Sequence, residues 1–119
     1  RYNTLETIKH VVVAYTSGAP SGCGAIKKYD AQTMEVKRMF VPEIFRGKGI
    51  ALNVLQALEA WALALGYKKC ILETGIRQTE AIALYKKAGF HQTGKRPNYY
   101  PTATGHEDAI LMGLPLRMG

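Results

Sequence analysis

The strongest constraint on the fold is a change of hydrophobic period in the middle of the chain. Between residues 10 and 41 the apolar residues form short runs or alternate, whereas from residue 50 they recur at steps of four, four, three and four. The first pattern is typical of strands, and the second is typical of an amphipathic helix. In a chain of 119 residues, strands followed by a helix predict a single α/β domain over 1–119. The helical positions are Ile50, Val54, Leu58, Trp61 and Leu65.

Turn residues divide the rest of the chain into further elements. Short turns separate the first three strands, which should therefore be antiparallel. A helix separates the third strand from the fourth, so these two should be parallel. The expected fold is α/β, with a mixed and largely antiparallel sheet, a parallel central pair and flanking helices. The predicted strands are 10–15, 23–29, 34–41, 69–74, 90–93 and 109–114, and the predicted helices run from near Gly47 to Gly66 and from Thr79, as its N-cap, to Gly89.

Two expectations concern single segments. Strict alternation over residues 34–41 places Val36 and Phe40 on one face of the strand and Met39 on the other. Residues 94–108 contain two prolines and two glycines, so they are predicted to form a long loop.

Composition narrows the class of protein. The hydrophobic fraction of 47% is typical of a globular domain, and no apolar run approaches the roughly 20 residues of a membrane span. Residues 1–10 lack the apolar centre of a signal peptide, and we expect an N-terminal segment to be missing. Cys23 and Cys70 have neither disulfide nor metal spacing, and the histidines lack ligand spacing, so a cytoplasmic protein without a metal is expected.

The segment between the third strand and the first helix is rich in glycine and positive charge. It reads Arg46-Gly47-Lys48-Gly49-Ile50-Ala51. Glycines let a ligand approach the backbone, and free amides at a helix start carry partial positive charge, so a pyrophosphate fits there. The formal net charge of +7 also favours an anionic partner. The alternative is a glycine turn selected for geometry alone. A Walker spacing is absent, and a dinucleotide fingerprint would need glycine where Leu52 stands.

This segment matches every fixed position of the Gln/Arg-x-x-Gly-x-Gly/Ala signature of the GNAT acetyltransferase superfamily. Residues 78–90 resemble the second family signature, with Gln78 where the family usually has Asn. The resemblance covers about residues 10–114 and lacks the first family strand and the early helices. It implies acetyl-CoA as co-substrate, held by the turn and by the backbone of the preceding strand. The implied binding residues are Met39, Phe40, Val41, Arg46, Gly47, Lys48, Gly49, Ile50, Ala51 and Gln78.

Glu73 and Tyr85 carry the functional groups that acetyl transfer to an amine needs. Glu73 ends a predicted strand and Tyr85 lies on the next helix, so the chain can bring both to one edge of the sheet. A carboxylate can accept the proton of an ammonium, and a phenol can protonate a thiolate. The resemblance implies that Tyr85 is the general acid and Glu73 the base, with Glu35 as a competing base. The alternatives are a core tyrosine, a solvated Glu73, and a Glu35 paired with Lys37.

The C-terminal segments 96–102 and 105–112 resemble the bacterial ribosomal-protein alanine N-acetyltransferases, the RimI family. This resemblance implies a peptide N-terminus as acceptor, with Tyr99 and Tyr100 beside it and Glu107 or Asp108 attracting its ammonium. These acids could instead shape a turn. The earlier part of the chain is less similar to RimI, so a small-molecule amine remains an alternative acceptor. A non-catalytic module that binds nucleic acid or CoA is the alternative of another class, and a homodimer could complete the acceptor site.

Overall fold

The computed structural model describes residues 10–117. The chain divides into two compact units, Arg1–Cys70 with Pro115–Gly119 and Ile71–Leu114. The predicted single domain over 1–119 stays a prediction. The signal-peptide prediction concerns residues 1–10, of which residues 1–9 lie outside the described part of the chain.

In the first unit, a three-stranded antiparallel sheet carries one long helix. The strands are β1 (His10–Thr16), β2 (Ala19–Asp30) and β3 (Thr33–Phe40), and the helix is α1 (Ile50–Ala64). Ser17 and Gly18 join β1 to β2 with φ angles of 51° and 85°, as a tight hairpin requires. α1 packs against all three strands, as its apolar stripe predicts. The buried residues of this unit other than glycine are Ser21, Ala25, Ile26, Thr33, Met34, Val36, Val54, Leu55, Leu58, Ala62 and Cys70.

A bulge near the end of β3 changes which face its side chains occupy. Cys23 pairs with Phe40 while Ala25 pairs with Lys37, so β3 advances three residues where β2 advances two. Arg38 adopts a left-handed φ of 57° at this point. The predicted strict alternation is therefore wrong beyond residue 37, because an extra residue in a strand reverses the faces that follow it.

Met39 shows the consequence of the bulge. A Cβ placed on Gly24 would lie 2.5 Å from Met39 Sδ and 2.9 Å from Leu58 Cδ1. Since Leu58 belongs to the buried stripe of α1, Met39 lies on the helix-covered face and not on the opposite one. A larger residue at position 24 would require the ends of both side chains to shift.

The second unit contains the end of β4 (Lys69–Gly75), α2 (Thr79–Lys87) and a long hairpin. The hairpin consists of β5 (His91–Thr102) and β6 (Gly105–Pro115), and β6 lies between β4 and β5. The buried residues of this unit other than glycine are Leu72, Tyr85, Phe90, Ala109, Ile110 and Met112.

The hairpin overturns the prediction of a long loop over residues 94–108. Arg96 pairs with Ala109 and Tyr100 with Glu107, so the additional residues of β5 are absorbed in an irregularity around Asn98, whose φ is 52°. Pro97 is tolerated because it lies in this irregularity on an edge strand, where the ladder does not need its missing N–H. Only residues 103 and 104 remain as the turn.

The start of α1 lies slightly later than predicted, and the N-cap of α2 lies one residue earlier. α1 starts at Ile50 and not near Gly47, since Gly47 and Gly49 have left-handed φ angles of 80° and 78°. The N-cap of α2 is Gln78 and not Thr79, and its side chain makes no capping hydrogen bond. The predicted helix stops are confirmed, with φ angles of 95° at Gly66 and 105° at Gly89. Neither of the helices described is long and apolar enough to cross a membrane.

Glu59 on α1 is an ionisable group that the fold partly buries. Its Oε2 atom is buried and has no hydrogen-bond partner among the described residues. Burial raises the pKa of the Glu59 carboxyl to about 7. Burial, with the charge of Glu59, also raises the pKa of the Cys70 thiol to about 12. Burial therefore favours the neutral carboxylic acid of Glu59 and the neutral thiol of Cys70.

We predict that Glu59→Gln stabilises the protein at pH 8. The folded carboxyl holds its proton up to a higher pH than the unfolded one, so its contribution to stability is fully present below about pH 4.5 and is lost as the pH rises through 7. One pKa unit corresponds to about 1.4 kcal/mol, and a half-buried group realises only part of it, so we expect a gain of about 1–2 kcal/mol.

Urea unfolding at pH 5 and pH 8 measures this gain, which should shrink at the lower pH. Glu43→Gln, at an exposed position, is the control and should change little at either pH. A Glu59→Gln variant that loses as much stability as the parent between pH 5 and 8 would contradict the assignment.

Candidate active site

The turn before α1 is built by local hydrogen bonds and two glycines. Phe45 N donates to Pro42 O at 2.9 Å and Arg46 N to Glu43 O at 3.1 Å, forming a short 3-10 turn that the sequence did not indicate. Gly47 and Gly49 then take left-handed φ angles, and a Cβ on either would have no neighbour within 4 Å. The chain is therefore open on the side of the two glycines.

The amides that follow this turn are free. The first hydrogen bond of α1 runs from Asn53 N to Gly49 O at 3.1 Å. Within residues 10–117, no backbone group and no capping side chain accepts a hydrogen bond from the amides of residues 47–52. The first turn of α1 also contains no acidic residue. Free amides and a helix N-terminus make this segment a place where an anion can be held.

Arg46 is fixed to the end of the preceding strand. Its Nε donates to Val41 O at 3.0 Å, so the guanidinium is tied to one of the residues predicted to bind acetyl-CoA. Phe40, the neighbouring predicted residue, is 56% exposed, and Lys48 is exposed as well. Two full positive charges therefore accompany the free amides.

Close packing against β2 sets the position where α1 begins. A Cβ on Gly22 would lie 2.8 Å from Ile50 Cγ2 and 3.2 Å from Val41 Cγ2. Only glycine lets the first residue of α1 come so close to the strand. The sequence analysis did not single out Gly22, although a glycine inside a strand is a signal of close approach.

In the second unit, Glu73 on β4 is held against a cation. Arg96 Nε lies 3.0 Å from Glu73 Oε2, and the side chains are 51% and 21% exposed. Glu73 Oε2 is buried and has no hydrogen-bond partner among the described residues, so the contact is an ion pair without hydrogen-bond geometry. The sequence analysis included Arg96 in the C-terminal resemblance but gave it no role.

Tyr85 on α2 is a buried phenol. It is 8% exposed, and its ring packs edge-on against Phe90 with ring centroids 6.0 Å apart. Burial raises the pKa of Tyr85 above its usual value of 10, because an apolar setting disfavours the phenolate. The side chain is therefore a neutral proton donor at physiological pH, as a general acid must be.

The two predicted substrate tyrosines form one aromatic group with Arg96. The rings of Tyr99 and Tyr100 meet edge to face with centroids 5.1 Å apart. The Arg96 guanidinium carbon lies 5.4 Å from the centroid of the Tyr99 ring, within cation–π range. Tyr99 is 47% exposed, so an aromatic surface remains accessible beside the Glu73–Arg96 pair.

Glu107 and Asp108 both bind backbone amides of their own unit. Glu107 Oε1 accepts from Arg77 N at 2.9 Å, and Asp108 Oδ1 accepts from Asn98 N at 2.9 Å. Lys95 Nζ lies 3.6 Å from Asp108 Oδ2. These contacts give both acids a role in shaping the chain, which is the alternative that the sequence left open.

The two remaining predicted residues, Gln78 and Glu35, make local contacts. Gln78 is exposed, and its backbone donates to Gly75 O at 3.0 Å and accepts from Ile82 N at 2.9 Å. Glu35 in the first unit lies 3.6 Å from Lys37 Nζ, the ion pair expected of a surface carboxylate. In the part of the chain that the structure describes, no group of three or more His, Cys, Asp or Glu residues could hold a metal ion.

Comparison with known proteins identifies the class. The sequence profile of the Acetyltransferase (GNAT) family matches residues 2–90. This match covers more than half of the 119 residues, so the chain belongs to the GNAT acetyltransferase family. The resemblance on which the sequence analysis relied is confirmed.

Curated relatives extend the similarity. An IAA acetyltransferase of Azospirillum brasilense is 43% identical over 91 residues, which are 76% of this chain and 60% of the relative. A ribosomal protein bS18-alanine N-acetyltransferase of Salmonella typhimurium is 42% identical over 74 residues, which are 62% of this chain and 50% of the relative. The chain thus spans between half and three fifths of the length of these relatives.

A solved structure supports the fold. A GNAT family acetyltransferase from Elizabethkingia anophelis, crystallised with acetyl-CoA bound, has a TM-score of 0.83 and 27% identity, and the match covers 94% of this chain and 78% of that one. The predicted fold class, an α/β fold with a mixed and largely antiparallel sheet that contains one parallel pair, is confirmed.

We predict that Gly75→Ala destabilises the second unit. An added Cβ would lie 2.7 Å from Glu107 Oε1, so the carboxylate would have to leave the amide of Arg77. Crowding together with an unsatisfied amide should cost about 1–3 kcal/mol. Urea unfolding measures the cost.

Gly94→Ala is the matched control, because its Cβ would meet only the flexible end of Leu111 at 3.2 Å. The cost of Gly75→Ala should also fall when Glu107→Ala removes the colliding group. Equal stability of Gly75→Ala and Gly94→Ala would show that the carboxylate has room to move.

Proposed function

We propose that this domain is an acetyl-CoA-dependent N-acetyltransferase that transfers acetyl from the CoA thioester to a primary amine by direct attack. The observation that carries the proposal is the set of free amides at residues 47–52, within a segment that matches the acyl-CoA signature of the family. The related Elizabethkingia enzyme has acetyl-CoA bound in its crystal structure. A diphosphate is the part of acetyl-CoA that such a turn can hold.

The first unit supplies the donor site in this proposal. The amides of the turn, with Arg46 and Lys48, bind the pyrophosphate. The strand end Met39, Phe40 and Val41 offers backbone groups to the amide-rich pantetheine arm. The bulge at Arg38 supports this role, because irregular pairing redirects the backbone groups of a strand away from its neighbour. Gln78, which belongs to the second unit, is a further residue that the family resemblance predicts to contact the cofactor.

The second unit supplies the proton transfers. Glu73 accepts a proton from the ammonium of the acceptor, directly or through water, so that the amine nitrogen can attack the thioester carbonyl carbon. A C–N bond forms, the C–S bond breaks, and Tyr85 gives its proton to the departing thiolate. The second proton lost from the amine nitrogen restores the Tyr85 phenol. The products are an N-acetyl amine, free CoA and one proton. Glu35, paired with Lys37, remains the alternative base.

The preferred acceptor in our proposal is the α-amine of a peptide N-terminus. An α-amine has a pKa of about 8, against about 10.4 for a lysine side chain, so a carboxylate deprotonates it more easily. Tyr99 offers exposed aromatic surface for a peptide, and Glu107 and Asp108 add negative charge nearby in sequence. The relative that acts on a ribosomal-protein alanine supports this choice. A small-molecule amine is the alternative.

Two further predictions accompany this proposal. A cytoplasmic location is supported by Cys23 and Cys70, which are both free thiols. A homodimer that completes the acceptor site stays a prediction from the sequence.

Thermal unfolding with acetyl-CoA tests the donor site, and thiol release with amine panels tests the reaction. A hundredfold excess of ligand over its Kd should stabilise the protein by about 2.7 kcal/mol. Peptides with a free N-terminus should release thiol faster than the same peptides with a blocked N-terminus, and faster than polyamines. Binding without turnover would reduce the protein to a CoA-binding module, and no binding would overturn the proposal.

We predict that Tyr85→Phe lowers kcat about 100-fold and leaves the Kd for acetyl-CoA unchanged. The substitution removes the proton donor, while phenylalanine fills the same buried volume beside Phe90. Stopped assays of thiol release give kcat, and thermal shift gives Kd.

Tyr29→Phe is the matched control, since it removes a phenol that is 60% exposed on β2. Loss of acetyl-CoA binding together with loss of turnover in Tyr85→Phe would show that Tyr85 supports the structure and does not donate the proton.

A further inference from the structure

The carboxylate of Glu73 is held asymmetrically. Its Oε2 atom is buried and faces Arg96 Nε at 3.0 Å, yet the side chain as a whole is 21% exposed. The exposed surface therefore belongs to the rest of the side chain and not to Oε2. A buried carboxylate oxygen without a hydrogen bond is costly, and the nearby cation is the group that offsets this cost.

The same arginine is supported from a second side. Its guanidinium carbon lies 5.4 Å from the centroid of the Tyr99 ring, which itself packs edge-on against Tyr100. A planar guanidinium can stack on a ring while its Nε faces a carboxylate, which an ammonium cannot do. Arg96 is thus fixed between an aromatic face and Glu73.

The irregularity in β5 sets the position of this arginine. Arg96 is the last residue of β5 that pairs with β6 before the irregularity, and the pairing resumes at Tyr100. Asn98 takes a φ of 52°, and its amide donates to Asp108 Oδ1 at 2.9 Å. The extra residues of the strand thereby bring Arg96 and Tyr99, which a regular strand would separate along its length, into contact.

We propose that Arg96 is the positioning residue for Glu73. It holds Oε2, so that Oε1 is the oxygen that takes the proton from the acceptor amine. This inference rests on the proposed function, in which Glu73 is the base. A partly exposed ion pair contributes little to stability, so the role of Arg96 lies in the orientation of the carboxylate.

A double-mutant cycle in kcat tests the inference, using thiol release at saturating acetyl-CoA. Glu73→Gln should lower kcat about 100-fold, and Arg96→Gln about tenfold, with the KM for acetyl-CoA unchanged in both. Because Arg96 acts through Glu73, the double variant should be no slower than Glu73→Gln alone. Arg96→Lys keeps the charge without the planar fork and should recover only part of the loss.

Lys87→Gln, which removes one exposed positive charge from α2, is the control and should keep the parent kcat. A double variant about 1000-fold slower than the parent, the product of the single losses, would overturn the positioning role and leave the proposed base intact. A normal kcat in Glu73→Gln would instead overturn the base assignment, and the positioning role with it. If Arg96→Gln unfolds, full recovery of kcat in a folded Arg96→Lys would likewise overturn the role of the planar fork.

Discussion

The amides of residues 47–52 have no hydrogen-bond partner within residues 10–117, and the proposed binding of acetyl-CoA depends on them. A helix start normally has its free N–H groups satisfied by a capping side chain or by water. Here the N-cap is Gly49, which has no side chain to offer, and its left-handed φ of 78° aims the preceding backbone away from the helix. In the proposed function, a bound diphosphate compensates the cost of leaving these donors unpaired. Two glycines therefore shape the start of α1. Gly49 provides no capping side chain, and Gly22 lets Ile50 approach β2.

The second unit uses charge in another way, because most of its charged groups near β5 and β6 are already paired. Asp108 holds the amide of Asn98, Glu107 holds the amide of Arg77, and Glu73 faces Arg96. The first two contacts hold segments outside regular strand pairing, and the third joins β4 to β5. In the proposed function, an acceptor ammonium would meet carboxylates whose orientation these contacts have already set. Preorganisation of this kind lowers the reorganisation that proton transfer would otherwise require.

Most of the fold follows from hydrophobic period and from glycine stops. The stripe from Ile50 to Leu65 predicted α1, and Gly66 and Gly89 predicted the ends of both helices. The errors within the strands share one physical origin, because a period assumes a regular strand. At Arg38 and around Asn98 the strands contain extra residues, and side chains beyond those points change face or register. Proline and glycine in residues 94–108 suggested a loop, although an edge strand with an irregularity accommodates both.

The part of the candidate site that lies in short sequence motifs could be predicted from the sequence. The turn at residues 46–51 and the pair Glu73 and Tyr85 stand in motifs that a sequence displays directly. Arg96 could not be predicted in this way, because its role arises from a contact with Glu73, 23 positions earlier in the chain. That contact depends on the register of the β5–β6 hairpin, which the sequence did not predict over residues 94–108. The same irregularity that hid the hairpin also places the arginine. A regular strand would have been easier to predict, but it would place Arg96 and Tyr99 on opposite faces. The irregularity in β5 is therefore what brings Arg96, Tyr99 and Glu73 together.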